Sequence, residues 1–146
     1  MTNWFHTARL GLFIHWNHIS QQGIEISWPL TGSVFTEADV PAVSVEQYHS
    51  SAATFNPQSY DPKEWARAAK ACGMQYAVLT TKHHDGYVMW DTKTTDFSVM
   101  HSPYARDIVR QYADAFRAER PRPLAEGKPR QAAHERCRSG AAALAE

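Results

Sequence analysis

Tyr76-Ala-Val-Leu-Thr-Thr-Lys-His-His-Asp-Gly86 is a short apolar run, β-branched and aromatic, that ends abruptly in polar residues carrying two histidines. A run this short reads as a buried strand, not a helix. Upstream, Asp61-Pro62 opens a helix, with aspartate as N-cap and proline in the first turn, where its missing N–H costs nothing. Trp65, Ala68, Ala69 and Cys72 then recur at i, i+3, i+4 and i+7, which predicts one apolar face with Cys72 in the core. Gly73 closes that helix as a left-handed cap. Farther back, Ala8-Arg-Leu-Gly-Leu-Phe-Ile-His15 holds a second run of the buried-strand kind. Residues 17–60 form a long excursion punctuated by Gly23, Pro29, Gly32, Pro41 and Pro57, with a short helix between Val45 and Thr54. Downstream, a Thr-, Asp- and Ser-rich loop runs to Pro103. Ile108, Tyr112, Ala115 and Phe116 predict an amphipathic helix near 105–118. Strands alternating with helices imply an α/β fold, with parallel strands near 10–15 and 76–81 joined by right-handed crossovers.

The chain has 146 residues, one domain's worth, whereas a complete (β/α)₈ barrel needs roughly 250. Fifteen basic and fifteen acidic side chains balance, so nothing in the charge favours nucleic acid or an anionic membrane as partner. Two cysteines, Cys72 and Cys137, build no disulfide framework. No apolar run approaches the ~20 residues of a membrane span. The opening Met-Thr-Asn-Trp-Phe-His lacks the pattern of a secretory signal, and a cytoplasmic chain is the expectation. The averages hide a break near residue 119. All 17 aromatic residues precede it, and residues 120–146 are rich in Arg, Ala and Pro with a balance of +3, against −3 before it. So few large apolar groups cannot offset chain entropy, so 1–119 reads as the folded part and 120–146 as a disordered tail without packed structure.

Polar residues follow each strand, the end that carries the site in parallel α/β folds. His15 follows the first, and His83-His84-Asp85 the second. Three readings compete. Imidazoles with Asp85 or Glu25 would suit zinc or iron, but adjacent His83 and His84 in an extended segment point to opposite faces and chelate one ion poorly. A neutral histidine offers one donor and one acceptor, which suits a hydroxyl, and Trp16, Trp28 and Trp90 offer faces for a sugar ring. In the third reading the histidines satisfy backbone groups and the tryptophans are core. No glycine pattern cradles a phosphate, and Ser20, Ser27 and Ser33 lack a nucleophile-elbow context. Lys82 is expected to point away from the site.

Trp4-Phe5, Gly11-Leu-Phe-Ile-His-Trp16, Thr80-Thr-Lys-His-His-Asp-Gly86, Thr95-Asp96-Phe97 and Arg106-Asp107-Ile108-Val109 occur in that order. Together they resemble the opening of the α-L-fucosidases of glycoside hydrolase family 29, from about Trp4 to Glu119. The resemblance implies the N-terminal portion of a (β/α)₈ TIM-like barrel, incomplete in this chain. It implies retaining hydrolysis of terminal α-L-fucosides by a carboxylate nucleophile and a second carboxyl group. It places His15, His83 and His84 in the fucose pocket, with Glu25 of the first loop beside them. Trp28, one of the three indole faces suited to a sugar ring, completes the substrate-binding set. A fucosylated glycan or fucoside is the implied partner, and no metal or cofactor is required. Asn17 stands where many members have glycine. The family's nucleophile and acid/base belong to later strands, so no catalytic residue is assigned, and residues 1–146 alone are expected to be inactive. A non-catalytic carbohydrate-binding or interaction module is the alternative, distinguished by whether a nucleophile-bearing strand follows.

Overall fold

The computed structural model describes residues 7–31, 43–119 and 141–144. The first motif pair, Trp4-Phe5, together with Ser33, Cys137 and residues 120–140, lies outside them. The described chain divides into two compact units, one built on strands and one on loops.

The strand unit draws on residues up to His15, Tyr60–Thr81 and Val109 onward. Strands β1 (Gly11–Ile14) and β2 (Tyr76–Thr80) pair in parallel, with Gly11 opposite Tyr76 and Ile14 opposite Leu79. The close approach explains Gly11: a Cβ there would run into the Tyr76 ring. On β2, Ala77 and Leu79 are buried. β1 departs from the fully buried strand expected, because it is an edge of the sheet and its Phe13 is 64% exposed. The tail also departs from expectation. Ala141–Leu144 forms a third strand, β3, antiparallel to β2, with Ala77 opposite Leu144. A strand with an open edge carries unmet N–H and C=O groups, and a short alanine run can satisfy them.

Among its helices, Pro62–Ala71 (α3 in the order of the chain) begins as expected. Asp61 accepts from the N–H groups of Lys63 and Glu64 at 2.9 and 3.2 Å. It ends in a Schellman motif: Gly73 N–H bonds Lys70 O, Met74 N–H bonds Ala69 O, and Gly73 has φ +73°. The buried stripe is rotated from the one predicted. Ala66 and Ala69 are buried and Trp65 is half-buried against Tyr60, while Ala68 is exposed. Cys72 is exposed too, since it sits at the C-cap, where the helix is already unwinding. Helix α4 (Ile108–Ala118) starts three residues after the predicted boundary. It buries Ile108, Tyr112 and Ala115, with Tyr112 and Phe116 rings 4.4 Å apart.

The loop unit holds Trp16–Ser59 and Lys82–Ile108. It contains two short helices, α1 (Trp28–Thr31) and α2 (Val45–Ser50), and 3₁₀ turns at His18–Gln22, Ser51–Thr54 and Val99–His101. Ile19, Ile26 and Tyr48 form its nucleus, with Ile24, Leu30 and Val43 packed around them. Asn17 caps the first turn, its Oδ1 accepting from Ile19 N–H. Its φ of −161° is extended backbone that needs no glycine. Bridges of Val88 to Lys82 and Ser98 tie the second loop together. No described helix is long and apolar enough to cross a membrane.

Candidate functional site

In the strand unit, the parallel register carries His15 alongside Thr80, one residue past the Ile14–Leu79 pair. Its Nδ1 bonds Thr80 Oγ1 at 3.0 Å, and its ring stacks on Phe13 at 6.1 Å. The imidazole is thus oriented by β2 and remains exposed.

In the loop unit, three of the predicted residues come together. The rings of His83 and His84 lie 4.7 Å apart, and Trp28 stands 5.8 Å from the first and 5.9 Å from the second. This corrects the expectation that adjacent histidines diverge. The alternation argument holds only for extended backbone. Here a turn intervenes, closed by Gly86 N–H to His83 O at 3.1 Å, with Gly86 at φ +86°. Glu25 is exposed on the segment leading to α1. Lys82 is exposed as well. Trp16 is half-buried, its ring 5.7 Å from Phe55. Among the described residues no three His, Cys, Asp or Glu side chains gather as a metal-holding group.

Asp85 holds this arrangement from beneath. Its side chain is fully buried. Oδ2 accepts from Asn17 Nδ2 at 2.6 Å and from the Tyr48 hydroxyl at 2.8 Å, while Oδ1 accepts from Tyr87 N–H at 3.0 Å. A buried carboxylate needs such donors, and their convergence on it organises the turn. Burial pushes the Tyr48 and Tyr87 phenols up, so both stay protonated, and Tyr48 is the one that donates to Asp85. His18 is buried among Tyr48, Tyr87 and Phe97, its Nδ1 on Ser51 Oγ and its Nε2 4.0 Å from Asp85 Oδ2. Ser51 gives its own proton to Tyr48 O, so His18 Nδ1–H is the donor in that pair. Burial drives the His18 imidazole down to about 4, although the Asp85 charge pulls it up and His49 adds to the fall.

Reading the chain residue by residue found the aromatic and imidazole groups and missed this support. Ser27, Tyr48 and His18 are distant in sequence from His83, and no local spacing announces them. The available signal was negative: Asp85 follows two histidines directly, and a carboxylate that enters a buried turn needs donors from somewhere.

An α/β chain whose strand-end loops carry imidazoles and an indole has the side-chain set that carbohydrate pockets use. The chain belongs to the alpha-L-fucosidase family, whose model matches residues 1–122. It is 40% identical over 90 residues to a putative alpha-L-fucosidase 1 of Oryza sativa, covering 60% of this chain and 16% of the relative. It is 30% identical to the tissue alpha-L-fucosidase of Mus musculus, covering 80% of this chain and 28% of that protein. Among solved structures, alpha-L-fucosidase isoenzyme 1 of Paenibacillus thiaminolyticus superposes with a TM-score of 0.68 at 45% identity, over 80% of this chain and 25% of the other. The Thermotoga maritima alpha-fucosidase in complex with fucose gives 0.63 at 30% identity, over 82% and 32%. The chain therefore spans less than a third of the length of these relatives.

Proposed function

We propose that this chain forms the sugar-binding N-terminal part of a retaining α-L-fucosidase, with β1 and β2 as the first two strands of a (β/α)₈ barrel. The observation that carries the reading is the cluster of His83, His84 and Trp28 just after β2, in a chain of this family. The imidazoles hydrogen-bond fucose hydroxyls and the indole packs against the C–H face of the ring. Glu25, in the same unit, contributes a further polar contact. The fucosylated substrate enters through its terminal sugar.

Cleavage needs more than positioning. Retention requires two carboxyl groups roughly 5–5.5 Å apart across the anomeric centre. Asp85 is committed to three internal hydrogen bonds. Residues 1–146 by themselves bind fucose without hydrolysing it. The test uses the purified 146-residue chain. An aryl α-L-fucoside should show no turnover above background, while titrated L-fucose should shift the side-chain resonances of His83, His84 and Trp28. Turnover that disappears on His83→Ala, in a preparation free of any longer enzyme, would overturn the inactive assignment. Absence of any fucose-dependent shift would overturn the pocket.

A further inference from the structure

Ser27 is the least comfortable residue in the loop unit. Trp28 N–H bonds Ile26 O at 2.8 Å across it, and its own φ is +63°. That is a γ-turn of the rare, strained hand, occupied by a residue other than glycine. The side chain is buried and its polar groups are fully engaged. Ser27 N–H donates to the Tyr48 hydroxyl at 2.8 Å, and that hydroxyl in turn donates a hydrogen bond to Asp85 Oδ2. Ser27 Oγ accepts from Asp85 N–H at 2.9 Å and lies 2.7 Å from His83 Nδ1.

The direction of that last bond follows from the donor count. A serine hydroxyl has one proton and two lone pairs. Asp85 N–H uses one lone pair. If His83 Nδ1 carried a proton, it would use the other, and the Ser27 proton would have to turn to the Tyr48 hydroxyl oxygen, which already accepts from Ser27 N–H. Buried donors are met best by separate acceptors, and Nδ1 lies 2.7 Å away. Giving the proton to Nδ1 provides each Ser27 donor with an acceptor of its own.

We infer that Ser27 is a positioning residue for His83: its hydroxyl donates to Nδ1, fixes the neutral ring as the Nε2–H tautomer, and so makes Nε2 the hydrogen-bond donor toward a sugar oxygen. The inference rests on the proposed fucose pocket for its use, but the tautomer can be read without any sugar. The strained turn is retained because it delivers the Ser27 hydroxyl to Nδ1 while Tyr48 holds the backbone from the other side.

Long-range ¹H–¹⁵N correlation spectra of the intact chain, labelled at histidine, decide it at neutral pH. The expected result is a pyridine-like Nδ1 and a pyrrole-like Nε2 at His83. In Ser27→Gly, which tolerates the turn but lacks the hydroxyl, the ring should populate both tautomers, and L-fucose binding should weaken about tenfold. Ser27→Cys, which keeps the shape and a weak donor, should restore part of the Nε2–H population. A proton found on Nδ1 in the wild-type chain overturns the inference outright, even if a variant fails to fold. An unchanged tautomer in folded Ser27→Gly overturns it too. If the tautomer is as expected and no L-fucose binds, the pocket fails while the role of Ser27 in setting the ring stands.

Discussion

The two units of this chain are stabilised in different ways. The strand unit is held by regular ladders, a capped and terminated helix, and small buried residues such as Ala66 and Ala69 on α3 and Ala77 on β2. The loop unit has few regular elements. It replaces them with buried side-chain hydrogen bonds that converge on one carboxylate, from Asn17, Tyr48 and the backbone of Tyr87. The difference teaches where this chain is vulnerable. Regular structure distributes its stability over many small contacts, whereas a polar network concentrates it in a few groups whose loss leaves partners unsatisfied.

The sharpest way to test that contrast is Asp85→Ala. Three buried donors lose their acceptor at once, at a cost of about 3–5 kcal/mol. Amide hydrogen exchange should show protection lost at 17–31 and 82–89 while Tyr76–Thr80 keeps its own; equal loss in both units would break the comparison. Acid is the next largest perturbation. His18 titrates near 6.5 when unfolded and near about 4 when folded, so between these values only the unfolded chain binds the proton. Stability is therefore complete above the unfolded value and drains as pH falls toward 4, by on the order of 3 kcal/mol. Urea midpoints of wild type and His18→Asn should converge as pH falls through that window. Parallel curves would show that His18 contributes nothing to the slope.

The strand unit should respond less. Gly11→Ala pushes a methyl group at the Tyr76 ring and should cost roughly 1–3 kcal/mol, seen as a lower thermal midpoint. A loss above that range would mean the sheet, too, depends on single contacts. The smallest effect expected is Asp61→Ala, about 1 kcal/mol for a lost N-cap, confined to exchange in the first turn of α3.

The same division governs what could be read in advance. β1, β2, α3 and α4 were legible because hydrophobic period, capping residues and terminating glycines are local signals. Asp61, Pro62 and Gly73 act within a few residues of themselves. Legibility failed where a decision depended on a neighbour distant in sequence. Cys72 lies on the predicted apolar face of α3, but burial follows the surface that the helix meets, and that surface runs along Ala66 and Ala69. The Ala141–Leu144 strand carries no propensity signal. It is placed by the edge of β2, which needs partners for its backbone.

By itself the sequence determined the alternation of strands and helices, the parallel pairing, and the identity of His15, Glu25, Trp28, His83 and His84 as the residues to watch. It did so because side-chain chemistry and periodicity belong to each segment alone. Only the tertiary structure decided that His83 and His84 converge on Trp28, that Asp85 is a buried scaffold, and that Ser27 reaches Nδ1 of His83. Those facts depend on bringing residues about 17 to 31 into contact with 83 to 87. Across that separation no spacing rule operates, and the need to satisfy buried polar groups selects the arrangement.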